Sequence, residues 1–147
     1  MIDIKSKIVD TIYNAVKAST AYPDADVTTG FDEKTAIFPC VVVEEVDNAP
    51  VINTITDDCS ENYTRLIYEV SVYTDDKNKA KSEGKKIMAI VDSALQGLKF
   101  RRIRKNKPLN IDRTVFRQYG RWEVIVSKPF TKTDGQTETT VYQMYRR

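Results

Sequence analysis

Tyr63-Thr64-Arg65-Leu66-Ile67-Tyr68-Glu69-Val70-Ser71-Val72-Tyr73-Thr74 alternates as a strand must, with Leu66, Tyr68, Val70 and Val72 on one side. Arg65, Glu69 and Ser71 take the other side, with Ile67 and Tyr73 as its apolar exceptions. Asp75-Asp76-Lys77-Asn78 then marks a turn, and residues 77–97 read as an amphipathic helix with Ala80, Ile87, Val91 and Ala94 on one face and Met88 and Leu95 beside it. A strand passing almost directly into a helix sets the architecture. Gly84 lowers helix propensity by about 1 kcal/mol relative to Ala, so it marks a close approach of the helix to the sheet. Gly97 reads as the C-cap.

Upstream, residues 3–19 predict a helix: Ile4, Ile8, Ile12 and Val16 recur at i+4, Val9 and Tyr13 widen the stripe, and Asp3 caps it. Pro23 cannot continue that helix. A short strand is expected around Val27 to Thr29, and a buried one over residues 38–46, where Phe38-Pro39-Cys40-Val41-Val42-Val43 implies cover on both faces. Residues 47–62 read as a long loop with a short edge strand at Val51 to Ile55. Downstream, residues 99–105 predict a short strand, and residues 111–119 and 121–128 two strands divided at Tyr119-Gly120. Asp134-Gly135 signals a hairpin within Lys132 to Gln136, and residues 137–147 form a last strand or arm. The sum is one α+β domain over residues 1–147: a mixed, mostly antiparallel sheet with two helices packed on one face.

The 147 residues are enough to bury a core without disulfides or metals. There is no histidine, which excludes Ser-His and Cys-His nucleophilic systems within this chain and removes a major metal ligand. Cys40 reads as a buried free thiol, and with Cys59 as its only fellow it makes no zinc site. The glycines are scattered, so no phosphate-binding loop is present. Adjacent carboxylates such as Glu44 and Glu45 point to opposite faces of a strand and cannot share a metal. No enzymatic activity and no cofactor or metal is expected. No run is long and apolar enough to span a bilayer, and Met1 to Lys5 opens without a basic segment and apolar run, so a soluble protein made in a cytoplasm is expected.

A formal net charge of +2 does not mark a nucleic-acid binder, but the charges are unevenly placed. Lys99, Arg101, Arg102, Arg104, Lys105 and Lys107 form one basic cluster, read as a contact for a partner or a polyanion, with a solvated strand as the plain alternative. Acidic residues gather earlier, at Asp24, Asp26, Glu44, Glu45, Asp57 and Asp58, and this polarity suits identical subunits meeting head to tail. Asp47, Asn48, Asn53, Asp57 and Asp58 mark a candidate partner-contact loop, and the Lys132 to Gln136 turn is another. Arg113, Arg117 and Arg121 read as exposed strand residues that discourage edge pairing.

Three features together resemble the tail terminator and tail completion proteins of long-tailed bacteriophages and related contractile particles. They are the opening helix Ile4 to Ala18, the strand entered through Phe38-Pro39, and Tyr68-Glu69-Val70-Ser71-Val72-Tyr73 leading through a polar turn into a helix that ends in Ala94-Leu95. The resemblance covers most of residues 1–126. It implies a virion structural protein, assembled in the host cytoplasm and built into the tail or neck. Such subunits form a homo-oligomeric ring, commonly a hexamer, that caps the tail tube, stops its polymerisation and meets the head-tail connector protein. Genome DNA passes through the lumen without specific binding. Two other readings stay open: a neck or head-completion (head-tail joining) protein, and a small nucleic-acid-binding module using Lys99 to Lys107.

Overall fold

The computed structural model describes residues 1–19, 21–30, 37–57, 62–75, 79–105, 109–110, 115–134, 137–141 and 144–145. Its elements, in chain order, are α1 (Lys5–Ala18), β1 (Asp26–Thr28), β2 (Cys40–Pro50), a 3-10 turn (Ile52–Thr54), β3 (Tyr63–Thr74), α2 (Ala80–Gly97), β4 (Arg101–Lys105), β5 (Leu109–Asn110), β6 (Phe116–Ser127), β7 (Phe130–Asp134), β8 (Thr137–Val141) and β9 (Met144–Tyr145). The main sheet runs β1-β2-β3-β6-β4. Among the described residues only β1 is parallel to its neighbour, β2, and every other pair is antiparallel. The spine is the full-length pairing of β3 with β6, from Tyr63 opposite Ser127 to Thr74 opposite Phe116. The far side of β6 is taken in turn by β5, β4 and β9.

The alternation of β3 decides which face is buried. Leu66, Tyr68, Val70 and Val72 meet Ile4, Ile8, Ile12 and Val16 of the α1 region and Ile87, Met88, Val91 and Leu95 of α2 in one core, with Val41, Val43, Trp122, Val124 and Val126 from the flanking strands. Both helices therefore lie on one face, and the fold is α+β. The opposite face has a small cluster of its own: Cys40, Val42, Tyr73 and Val115, with Phe38 packed against it. Cover on both sides explains why residues 40–43 are uninterruptedly apolar. At Gly84 helix α2 does come close to the sheet: a Cβ there would lie 3.6 Å from Gln118 Oε1 and 3.7 Å from Thr74 Oγ1.

Four expectations are corrected. First, Tyr119-Gly120 does not divide two strands; β6 runs unbroken through it. A Cβ on Gly120 would sit 2.8 Å from Trp122 Cη2 and 3.0 Å from the Arg104 carbonyl oxygen. The glycine is a seat for the indole two residues on, not a turn. Second, residues 47–62 are not one loop. β2 continues to Pro50 opposite Thr64 across an irregularity between Glu45 and Asp47, and the 3-10 turn stands where an edge strand was expected. The polar end of β2 stays in the sheet because Arg65 Nη2 bonds Asp47 Oδ2 at 2.8 Å and Asn48 Nδ2 bonds the Ile2 carbonyl at 3.0 Å.

Third, Gly97 is the last helical residue rather than the left-handed cap. That place falls to Lys99, at φ 68°. Phe100 N–H donates to Leu95 O and Lys99 N–H to Gln96 O, both at 3.0 Å, with Leu95 and Phe100 buried together: a Schellman ending with lysine where glycine is usual. Lys99→Gly is expected to raise stability by about 1 kcal/mol, because only the side chain strains that conformation. A urea midpoint that falls in the variant would contradict this. Fourth, Tyr13 is 46% exposed and does not widen the buried stripe of α1; its ring lies under the Lys17 ammonium, 5.5 Å from the centroid.

β7 and β8 form a ribbon closed by the Asp134–Thr137 pair, as Asp134-Gly135 predicts. Among the described residues its strands pair with each other and with no other strand. The chain then returns to β6 through β9. Residues 137–147 thus begin as half of the ribbon and end on the main sheet, Arg146 and Arg147 lying outside the described residues.

Candidate functional site

The helix-free face of the sheet carries the densest polar arrangement. Register places Arg65, Glu69 and Ser71 of β3 beside Arg117, Tyr119, Arg121 and Glu123 of β6, all pointing away from the helices. Glu69 receives two arginines, Arg117 Nη2 at 2.9 Å and Arg121 Nε at 2.8 Å. Arg117 also bonds Ser71 Oγ at 3.0 Å, and its guanidinium carbon stands 4.3 Å from the Tyr119 ring centroid. Glu123, with a side chain 4% exposed, receives Arg101 Nη2 at 2.8 Å, and Arg65 Nη1 approaches it to 3.8 Å. A carboxylate so deeply placed is tolerable because it is paired; removing its arginines would leave an uncompensated charge.

The six-cation cluster separates into groups with different work. Arg101 is held by Glu123, and Arg102 Nη1 by Asp92 Oδ2 at 3.1 Å. Lys99, Arg104 and Lys105 are exposed and have no ion pair or side-chain hydrogen bond among the described residues. Lys107 lies outside them. The register shift at Ile103 puts Arg101 and Arg104 on the same face, which simple alternation forbids at that spacing. Phe100 does not interleave with the cations: it is fully buried, edge-on to Tyr68 at 6.1 Å between centroids.

The candidate loop residues are likewise dispersed. Asp47 and Asn48 are strand residues with internal partners. Asn53 is exposed on the 3-10 turn and lines an open groove with Pro50, Val51, Ile52, Arg65 and Ile125. Asp57 is exposed, and Asp58 lies outside the described residues. Arg117 and Arg121 are bound within the interior strand β6 rather than standing exposed along an edge, while Arg113 lies outside the described residues.

On the helix side, Asp92 of α2 joins three elements by accepting from Trp122 Nε1 at 2.8 Å, Arg102 Nη1 at 3.1 Å and Gln96 Nε2 at 3.0 Å. Tyr68 donates to Glu45 Oε2 at 2.8 Å. Burial, and then that carboxylate, push its hydroxyl far above the usual pKa, so it remains a donor. Cys40 is buried and free. Burial first, and the nearby Asp26 second, push its thiol up from 9.0 to about 11. At pH 8, with Cys59 replaced by serine, Cys40 is expected to react with a thiol reagent only as fast as the protein unfolds. Stoichiometric labelling of the native protein within minutes would contradict this.

No protein-family model and no curated protein matches this chain. Among the described residues no three carboxylates or cysteines gather as a metal site. The arginine–carboxylate pairs of this face at 2.8–2.9 Å, Arg117 and Arg121 on Glu69 and Arg101 on Glu123, are charge-assisted hydrogen bonds. The pairing of Glu69 and Glu123 escaped the sequence reading because it joins residues more than 20 positions apart. Its trace was the odd-numbered run of charges at Arg65, Glu69, Arg117, Arg121 and Glu123.

Proposed function

We propose that this chain is a virion structural subunit, a tail terminator that assembles with copies of itself into a ring on the end of the tail tube. The ring stops tube growth and offers its other side to the head-tail connector, and genome DNA passes through the lumen. The observation that carries this reading is the β7–β8 ribbon, which leaves the central strand β6 and pairs with no other strand among the described residues. A two-stranded ribbon is marginal in water by itself, and one that joins no other strand is suited to being ordered by a partner's surface. The opening helix, the Phe38-Pro39 entry to β2 and the β3–α2 unit support the reading by their resemblance to terminators.

Among the described residues of the basic cluster, a nucleic-acid module would rely on Lys99, Arg104 and Lys105, because Arg101 and Arg102 are paired with Glu123 and Asp92. Three exposed cations make a weak grip on a polyanion, which suits a conduit better than a binder. The test is kinetic. Tail-tube protein polymerising in the presence of this protein should stop at a length set by the ratio of the two, seen as a plateau in light scattering. Elongation that continues unchanged at equimolar protein would contradict the reading.

A further inference from the structure

Three consecutive rows of residues cross the sheet from β2 to β4, and each begins with an acid and ends with an arginine. The first is Glu44, Glu69, Arg121 and Arg104; the second Glu45, Tyr68, Trp122 and Arg102; the third Asp47, Ile67, Glu123 and Arg101. β2 and β4 each bulge beside the second row, β2 between the second and third rows and β4 between the first and second, and each bulge exposes one β-branched apolar residue: Val46 at 45% and Ile103 at 46%. β1 pairs with β2 only as far as Val42, so Glu44 to Asp47 lie on an open edge among the described residues, as β4 does on the other side.

The outer members of the first row are the informative ones. Glu44 stands in register with Glu69, and Arg104 with Arg121, so each faces a like charge on the same face of the sheet. Like charges directly opposite are unfavourable. Glu69 and Arg121 relieve each other by their 2.8 Å ion pair. Glu44 and Arg104 have no ion pair or side-chain hydrogen bond among the described residues. Among the described residues, one edge thus ends in an unpaired acid and the other, in the same row, in an unpaired base.

We infer that the two edges are complementary docking surfaces, and that the occupant of each is a second copy of this chain. The β4 edge of one subunit lies beside the β2 edge of the next, with Arg104 against Glu44 in the same row and on the same face, and Ile103 and Val46 covered in the contact. Strand direction agrees: β2, β3, β6 and β4 alternate, so β4 beside the next copy's β2 is again antiparallel. The contact is heterologous, the kind that closes into a ring when the rotation allows. It deepens the ring-forming reading and rests on it for the tube alone.

Charge reversal tests this. Arg104→Glu and Glu44→Arg each replace a like-charge neighbour within the fold by an opposite one, so neither should lower Tm. Each is expected to weaken self-association in sedimentation velocity at low salt by about tenfold or more, because the reversed edge now repels its partner. The double variant, with both edges reversed, should associate within about threefold of the wild type, and added salt should weaken both by screening. Single variants that associate as well as wild type, a double variant that stays dissociated, or a wild type that stays monomeric at low salt would overturn the inference. If the single variants still arrest tubes, the edges are wrong and the terminator reading stands; if the double variant associates but neither it nor wild type arrests tubes, the reverse holds.

Discussion

Trp122→Ala is expected to lower stability by about 3–5 kcal/mol, a large part of what holds a domain of this size folded. The indole is fully buried, lies over Gly120 and donates its N–H to Asp92 Oδ1 at 2.8 Å. Gly120, beneath the indole, has no side chain with which to fill the space it leaves. Asp92 would keep Arg102 and Gln96 but lose the contact that ties α2 to the middle of β6. Trp122→Phe separates the two effects: it keeps most of the packing and loses the hydrogen bond, for an expected cost of about 1–2 kcal/mol. Trp122 is the only tryptophan, so unfolding of both variants has to be followed by circular dichroism rather than fluorescence. A loss below about 1 kcal/mol in the alanine variant would contradict this account of β6.

Replacing residues 130–141 by a short Gly-Ser turn is the second large effect, and it falls on function rather than stability. The β7–β8 ribbon pairs only with itself among the described residues, so its removal takes no strand from the main sheet. The variant should melt within roughly a few degrees of the parent, as expected of a sub-structure whose opening is independent of the core. In tube assembly it should fail to arrest growth at concentrations about tenfold above those at which the parent succeeds, the loss expected when a contact worth more than 1.4 kcal/mol is removed. Arrest at the parental concentration would mean that the ribbon makes no contact with the tube.

Local periodicity made much of this fold legible. The i+4 spacing of Ile4, Ile8, Ile12 and Val16 placed α1 on the core, the alternation of β3 chose its buried face, and Asp134-Gly135 placed the ribbon turn. What escaped depended on partners distant in the chain. Gly120 looks like a break until Trp122 is folded back over it, and the polar end of β2 looks like loop until Arg65 and the Ile2 carbonyl are beside it. Lys99 gave no glycine signal for its left-handed conformation, because burial of Phe100 against Leu95 fixes that turn. The basic cluster was visible as composition, but the division between Arg101 and Arg102, which are paired, and Lys99, Arg104 and Lys105, which are not, follows from the bulge at Ile103 and the positions of Asp92 and Glu123. The opposition of acidic and basic edges required the register of four strands.

The most direct measurement is negative-stain electron microscopy of tail tubes assembled with the purified protein. The tubes are expected to carry a ring at one end and not to lengthen from that end when fresh tube protein is added. Tubes with bare ends that continue to grow would contradict the terminator reading.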